Sequence, residues 1–281
     1  MKCLLLALSL LMSLQAYSQS MIVLKTGKII TIDDQGSIND LSNFLLPYQI
    51  KNLGGRFLID EDRKVRTVDT QGLMYKKEKD EKAPIKVEYV GENYFISKFG
   101  RIYTIDEKGF LFALDKAKEF RKIKFQGGNY VVSEKKEHGE KSAQLFIVTG
   151  EGKVEEATVA GLYAEDINVT GGRYFTTAQH VVYTVSSDGF AYSKKEMGAF
   201  RGNQFKKGGN YFFYLGGLYT VAANGMLTSA GMAQDFGQIR VFGSNFFLNA
   251  QGQLFTVSAS GAVRSVPVDF KLSDISLFSH P

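Results

Sequence analysis

The sequence lacks most of the side chains from which catalytic or metal sites are built. It has no tryptophan, and its one cysteine is the third residue, so no disulfide bond can form within the chain. The three histidines, His138, His180 and His280, lie at unrelated places in the sequence. No His-x-x-Glu-His motif, cysteine pair, Gly-x-Ser-x-Gly elbow or phosphate-binding loop is present. We therefore expect no cofactor and no catalytic residues, and a chain that is not an enzyme.

The first 18 residues have the organisation of a signal peptide. Lys2 precedes an apolar run over residues 4–14, and Ala16-Tyr17-Ser18 fits cleavage before Gln19. The apolar run is too short to span a bilayer comfortably. We predict a signal peptide over 1–18, a mature chain over 19–281 without a transmembrane segment, and export to the periplasm or the cell surface.

The most informative feature of the sequence is a repeat. A hairpin glycine recurs seven times, with spacings of 36 or 37 residues and one of 43. In six of the seven copies a threonine lies five residues before that glycine. The glycines are Gly36, Gly72, Gly109, Gly152, Gly189, Gly225 and Gly261. A second marker stays in register with the first, a glycine-led turn followed by an aromatic residue, as in Gly208-Gly209-Asn210-Tyr211.

Each copy reads as four short antiparallel strands. In the copy over residues 91–115, three strands are predicted at 94–97, 101–106 and 110–115, because β-branched and aromatic residues alternate there with Gly, Asn and Asp turns. A further strand, such as Ile123-Lys124-Phe125, precedes each glycine-led turn. Seven four-stranded units predict an all-β, seven-bladed β-propeller over residues 19–281.

The phase of the repeat predicts how the ring closes. We take the strand before each glycine-led turn as the innermost strand, with the next three strands moving outward. The mature chain then begins at the second strand of a blade, near residues 21–24. The C-terminal strand over residues 275–278 would supply that blade's missing strand. Closure by side-chain packing between seven self-contained units is the alternative.

With these motifs the chain resembles β-propeller repeat proteins of the WD40 type and of the tachylectin-2 lectin type. The shared pattern ends in Gly-Leu-Tyr-x-Val, as in Gly217-Leu218-Tyr219-Thr220-Val221. The resemblance implies a propeller over nearly all of the mature chain. The Trp-Asp ending of WD40 units is absent, and the tachylectin Gly-Gly-Trp is Gly-Gly-Asn or Gly-Gly-Arg here. No sugar-binding residue is therefore carried over.

Positive charge is concentrated in two connections between units. Residues 115–124 carry a net charge of +3 and residues 194–207 a net charge of +4, in a chain whose formal net charge is +5. The fourth unit also contains an insertion over residues 133–143, which we expect to form a polar, mobile hairpin tip, either a tolerated elongation or a finger that contacts a ligand. In a propeller, these three segments emerge on the same rim.

We predict a binding face on that rim. Its candidate residues are Lys116, Lys118, Arg121, Lys122, Lys194, Lys195, Arg201, Lys135 and Lys136. The expected partner is a protein or an anionic glycan or lipid headgroup of the cell envelope, and not a nucleic acid. The alternative is a solvated basic surface without a specific partner. We expect the chain to be a monomer.

Three sets of repeated residues could serve either function or fold. Aspartates in the hairpin turns could bind calcium, although we expect them to accept hydrogen bonds from their own turn: Asp33, Asp69 and Asp106. Tyrosines after the glycine-led turns could stack on sugars, although we expect them in the core between blades: Tyr94, Tyr130, Tyr174 and Tyr211. Polar residues of the predicted innermost strands could line an axial channel or pair between blades: Lys51, Glu88, Lys124, Asn168, Arg240 and Ser276.

Our leading interpretation is an exported, non-enzymatic propeller that acts as a binding or scaffold module. A lectin-like glycan-binding protein with several equivalent pockets is the first alternative. A hydrolase or lyase with a site at the mouth of the channel is the second, because propellers host many functions.

Overall fold

The computed structural model describes residues 19–41, 45–75, 82–114, 119–137, 140–157, 159, 162–179, 181–194 and 205–280. Within these ranges, 28 strands form seven four-stranded antiparallel sheets, and the helical segments are short 3₁₀ turns. The predicted seven-bladed β-propeller is confirmed. The predicted signal peptide over 1–18 lies outside the described residues. No helix in the described ranges has the length and apolar character needed to cross a membrane.

The strands of each blade are called A to D in sheet order. Blade 1 contains β1 (Ser20–Leu24), β2 (Ile29–Ile32) and β3 (Ile38–Asp40) as strands B to D. Blade 2 contains β4 (Ile50–Leu53), β5 (Phe57–Asp60), β6 (Val65–Val68) and β7 (Met74–Tyr75) as strands A to D. Blade 3 contains β8 (Val87–Val90), β9 (Tyr94–Ser97), β10 (Ile102–Ile105) and β11 (Leu111–Leu114). Blade 4 contains β12 (Ile123–Gln126), β13 (Tyr130–Glu137), β14 (Glu140–Val148) and β15 (Val154–Ala157). Blade 5 contains β16 (Ile167–Thr170), β17 (Tyr174–Thr177), β18 (Val182–Val185) and β19 (Ala191–Lys194). Blade 6 contains β20 (Phe205–Lys207), β21 (Tyr211–Tyr214), β22 (Gly217–Val221) and β23 (Leu227–Met232). Blade 7 contains β24 (Ile239–Phe242), β25 (Phe246–Asn249), β26 (Leu254–Val257) and β27 (Val263–Val266). The 3₁₀ turns that precede strand A span Pro47–Gln49, Glu119–Lys122, Ala164–Asp166, Ala233–Phe236 and Leu272–Asp274.

The first and last strands that the structure describes share blade 1. The last strand, β28 (Ile275–Phe278), is strand A of that blade and pairs antiparallel with β1, with Ile22 opposite Phe278. Beyond the strand, the Ser279 amide donates to the Met21 carbonyl at 3.0 Å, and the Met21 amide donates to Ser279 Oγ at 3.0 Å. The predicted closure by joined termini is confirmed, and it removes the open sheet edge that an incomplete blade would expose.

The core of the ring lies between neighbouring blades. Strands B and C are largely buried, whereas strands A and D are the partly exposed edges of each sheet. Tyr94, Tyr130, Tyr174 and Tyr211 are fully buried, as expected for core residues between blades. The Tyr94 hydroxyl reaches two carbonyls of the next blade, those of Gly127 at 2.9 Å and Tyr130 at 2.8 Å. Burial raises the pKa of all four tyrosines, so they act as permanent donors that tie blade to blade.

Turns from neighbouring blades meet around the axis in two stacked rings, which together we call the hub. In the ring of A–B turns, the Glu92 amide donates to Gly128 O at 2.6 Å, and the Gly128 amide donates to Gly172 O at 2.8 Å. In the ring of C–D turns, the Ala223 amide donates to Ala259 O at 2.9 Å, with equivalent bonds at other blades. Backbones joined in this way lie about 5 Å apart, so seven equivalent residues close a circle of about 6 Å radius.

This geometry differs from the expected order of strands. We expected strand A alone to lie at the axis, but both the A–B and the C–D turns converge there, so the strands run outward from the hub. The B–C turns and the connections from strand D to the next strand A therefore lie together at the outer ends of the strands. The close approach depends on missing side chains, because a Cβ on Gly172 would lie 2.7 Å from the Gly209 Cα.

The polar residues expected to line a channel have another role. They lie in six blades and are the residues skipped where the A–B pairing shifts register. A β-bulge of this kind bends and twists the strand. The six side chains are exposed at the edge of the sheet rather than paired between blades: Lys51, Glu88, Lys124, Asn168, Arg240 and Ser276.

The repeated threonine of strand C links four of the blades to the next blade. Its hydroxyl donates to the carbonyl of the following blade's hairpin glycine, for example from Thr104 to Gly152 at 2.6 Å and from Thr184 to Gly225 at 2.7 Å. Thr220 occupies the same position and is equally buried, but its hydroxyl has no hydrogen-bond partner within the described part of the chain.

Replacing these threonines by valine should separate the two cases. Thr104→Val leaves the buried Gly152 carbonyl without its donor and should lower the free energy of unfolding by about 1–2 kcal/mol. Thr220→Val removes a hydroxyl that makes no bond and should change stability by less than about 0.5 kcal/mol, or raise it. Urea unfolding of the mature chain measures both. Equal losses for the two variants would show that the hydroxyl bond does not couple the blades.

Candidate functional site

The described residues among those predicted to form a binding face belong to the outer ends of the strands. Lys116, Lys118, Lys195 and Arg201 lie outside the described residues. Arg121 and Lys122 lie in the 3₁₀ turn before blade 4, and Lys194 is the last residue of strand D of blade 5. The Lys122 side chain is exposed to solvent. The topology brings these segments to the same end of the blades, whereas their grouping into one face remains a prediction.

The insertion in the fourth unit lengthens two strands. Pairing between β13 and β14 continues outward from Ser133 opposite Gln144 to Glu137 opposite Glu140. Lys135 and Lys136 therefore belong to a two-stranded ribbon that extends beyond the B–C turns of the other blades. The two strands of the predicted polar hairpin are present and pair regularly, whereas residues 138–139 between them lie outside the described residues.

Four charged side chains are buried at the hub, and sequence reasoning did not single them out. Arg56, Arg173, Glu92 and Asp34 are almost completely inaccessible to solvent. Arg173 Nε lies 4.0 Å from Glu92 Oε2. These two residues belong to blades 5 and 3, which are not neighbours, so their ion pair reaches across the axis. Desolvation lowers the pKa of Arg173, an effect that the carboxylates of Glu92 and Asp34 oppose.

Sequence position explains how these charges reach the axis. Asparagine follows the second residue of most A–B turns, and its amide donates to the end of strand C in the next blade. The bonds run from Asn93 to Thr149 O at 3.1 Å and from Asn129 to Ser186 O at 3.2 Å. Arg56 and Arg173 stand at this same position in blades 2 and 5. An arginine in place of a repeated asparagine was the signal that could have identified the cluster.

The hub is a closed, polar centre of the ring and not an open site. Gln19 in blade 1 donates its amide to the Asp69 carbonyl of blade 2 and is itself buried. Glu92 fills the space beside two glycines, since a Cβ on Gly55 would lie 2.7 Å from the Glu92 Cγ. The buried ion pair and the two rings of backbone bonds thus occupy the axis. The arrangement positions the turns, and the four charged side chains within it are almost inaccessible to solvent.

The turn aspartates accept hydrogen bonds from backbone amides of their own turns. Asp33 Oδ1 accepts from the amides of Gln35 at 2.9 Å and Ser37 at 2.7 Å, and Asp106 Oδ1 accepts from two amides in the same way. The expected role in the turn is confirmed. Within the residues that the structure describes, no group of three or more His, Cys, Asp or Glu side chains could hold a metal ion.

Comparison with known proteins gives little beyond the fold. No family model matches the sequence, and no curated protein sequence matches it. Among solved structures, the chain is similar to the crystal structure of BamB from Moraxella catarrhalis, with 12% identity over 88% of this chain and 81% of that chain and a TM-score of 0.24. A likeness this weak carries no argument about function, so the propeller rests on the strand pairing of this chain itself.

The pH dependence of stability tests the hub. Burial, together with Asp33, raises the pKa of Asp34 to about 6, while Arg56 and Arg173 act in the opposite direction. A carboxyl whose pKa is higher in the folded state stabilises the fold when protonated, and this contribution is lost as pH rises through the folded pKa. The stability of the wild type relative to Asp34→Asn should therefore increase from about pH 7 to about pH 5. Urea midpoints at the two pH values measure it, and an unchanged or opposite difference contradicts the assignment.

Proposed function

We propose that this chain is an exported, non-enzymatic propeller that acts as a binding or scaffold module through the outer ends of its strands. The observation that carries the proposal is the different use of the two strand ends. At the hub, the A–B and C–D turns are hydrogen-bonded to neighbouring blades. The ribbon of blade 4 and the described residues of the basic connections, such as Lys122, lie at the outer ends, where a partner can reach them.

The net charges of the turns favour an anionic partner at the outer ends. The C–D turns at the hub contain seven acidic residues and two lysines, a net charge of −5: Asp33, Asp34, Asp69, Asp106, Glu107, Glu151 and Asp188 with Lys108 and Lys153. The B–C turns, apart from the balanced insertion, contain six basic and two acidic residues, a net charge of +4: Lys25, Lys28, Arg63, Lys64, Lys98 and Arg101 with Glu61 and Asp62. An anionic protein, glycan or headgroup is therefore attracted to the outer ends and repelled from the hub.

Export gives the first test. Expressed in a bacterial host with its leader, the protein should be recovered from the periplasm or the medium with Gln19 as its first residue. Intact-mass spectrometry of the recovered protein measures this. A cytoplasmic product that keeps residues 1–18 would rule out the exported role, whatever the protein binds.

Binding gives the second test. Purified mature protein should bind isolated envelope fractions at low ionic strength and be released by salt, because the attraction is electrostatic. Replacing Lys118 and Lys122 together by glutamine should weaken this binding several-fold in a sedimentation assay. The matched control replaces Lys108 and Lys153 by glutamine, which removes the same charge from the hub turns and should leave binding unchanged.

Two outcomes would count against this proposal. Equal weakening by both pairs would show that only net charge matters, and no retention by the wild type would remove the binding role. Loss of folding is not expected to confuse the comparison, since the side chains of Lys108, Lys122 and Lys153 are exposed to solvent.

A further inference from the structure

Three apolar side chains protrude from neighbouring blades. Among the described large apolar residues, Ile85 is 83% exposed, Phe99 is 78% exposed and Tyr48 is 75% exposed, the three highest values. Tyr48 precedes strand A of blade 2, Ile85 precedes strand A of blade 3, and Phe99 lies in the B–C turn of blade 3. All three are at the outer ends of the strands. Exposed apolar side chains grouped in this way mark an interaction surface.

Backbone hydrogen bonds join the segments that carry them into one surface. The Glu61 amide donates to Gln49 O at 2.8 Å, the Ala83 amide donates to Arg63 O at 2.7 Å, and the Lys98 amide donates to Lys86 O at 3.0 Å. These bonds connect residues 47–51, 61–64, 82–88 and 98–101, which we call the blade 2–3 patch. The protruding side chains are thus attached to backbone segments that are hydrogen-bonded to one another.

The patch is basic. Its four segments contain seven basic and three acidic residues, a net charge of +4. The acidic members are Glu61, Asp62 and Glu88. Five of the basic side chains are exposed to solvent: Lys51, Lys82, Lys86, Lys98 and Arg101. Apolar side chains surrounded by exposed lysines form the pattern that favours an anionic membrane surface.

We propose that the blade 2–3 patch docks the protein on an anionic lipid bilayer. Ile85, Phe99 and Tyr48 enter the interfacial region, and the surrounding lysines meet the phosphate groups of the lipids. This inference rests on the proposed function and names the partner of the outer ends.

Shape favours a bilayer over a folded partner. A side chain with three quarters or more of its surface exposed stands out from the protein and does not line a groove. A protein partner would need a separate pocket for each of three such side chains, whereas a bilayer interface accepts them wherever they protrude. Aromatic rings such as that of Tyr48 are also favoured at the level of the headgroups.

The absence of tryptophan makes the proposal directly measurable. Phe99→Trp places one fluorescent reporter in the patch of the mature chain, at an exposed position that should tolerate it. Phe190→Trp is the matched control, since Phe190 is also exposed but lies beside a C–D turn of blade 5. Vesicles of phosphatidylglycerol and phosphatidylethanolamine should shift the emission of the Phe99→Trp protein to the blue, and brominated lipid should quench it. Phosphatidylcholine vesicles should have no such effect, and the Phe190→Trp protein should report no change with either vesicle.

The charge requirement is tested in the same assay. Replacing Lys86 and Lys98 together by glutamine in the Phe99→Trp protein should lower the apparent partition coefficient about 30-fold, from the attraction of two basic residues to an anionic membrane. Replacing Lys108 and Lys153 should not lower it.

The outcomes separate this inference from the function on which it rests. Salt-sensitive binding to envelope fractions without any response to protein-free vesicles would overturn the lipid inference and leave the binding role standing, with a protein or glycan as partner. A response of equal size from the Phe190→Trp protein would overturn the assignment to this patch. Absence of both envelope and vesicle binding would remove both proposals.

Discussion

The close contact of turns at the hub is the constraint on which the rest of the structure depends. Backbone groups of successive A–B turns bond directly, and a ring of about 6 Å radius has little room for side chains between them. Gly172 and Gly209 show the consequence, because a Cβ on either would lie under 3 Å from the backbone of the next blade. The Gly-Gly pairs are therefore required by blade-to-blade contact as well as by the local turn. Closure through β28 completes the same ring, since it gives blade 1 the strand that leads into its turn.

Because the hub is narrow and polar, the hub end of each strand accepts fewer changes in sequence than the outer end. At the axis, a buried charge needs a partner, and another blade can supply it, as in the pair between Arg173 and Glu92. Asp34 is held there with its pKa raised, so desolvation outweighs its attraction to the two arginines. Residues can be added at the outer ends, as in the blade 4 ribbon, without disturbing the hydrogen bonds of the hub.

The sequence predicts the repeated part of this structure well and the remainder poorly. The seven units, the strands, the joined termini and the roles of Tyr94 and Asp33 follow from local patterns that each copy repeats. The stacked hub does not, because the Gly-Gly pairs fit an ordinary hairpin equally well and their approach to the next blade is set by the radius of the ring. The pairing of Arg173 with Glu92 depends on that radius too. Ile85 and Phe99 lie in segments without a repeat, so only their positions in space show that they are neighbours.

The distribution of features at the outer ends bears on the kind of partner. A lectin with several equivalent pockets requires the same exposed side chains in each unit, yet the aromatic residues after the glycine-led turns, such as Tyr94 and Tyr211, are buried between blades. Exposed apolar residues do recur in the C–D turns, directly after the hairpin glycine: Leu73, Phe110, Phe190 and Met226. At the outer ends, the features that reach solvent are particular to single blades: the ribbon in blade 4 and the protruding Ile85 and Phe99 in blade 3. A ring with unlike sectors has a preferred orientation toward whatever it binds. One directed contact, reinforced by the opposite charges of hub turns and outer turns, therefore fits this chain better than many equal ones.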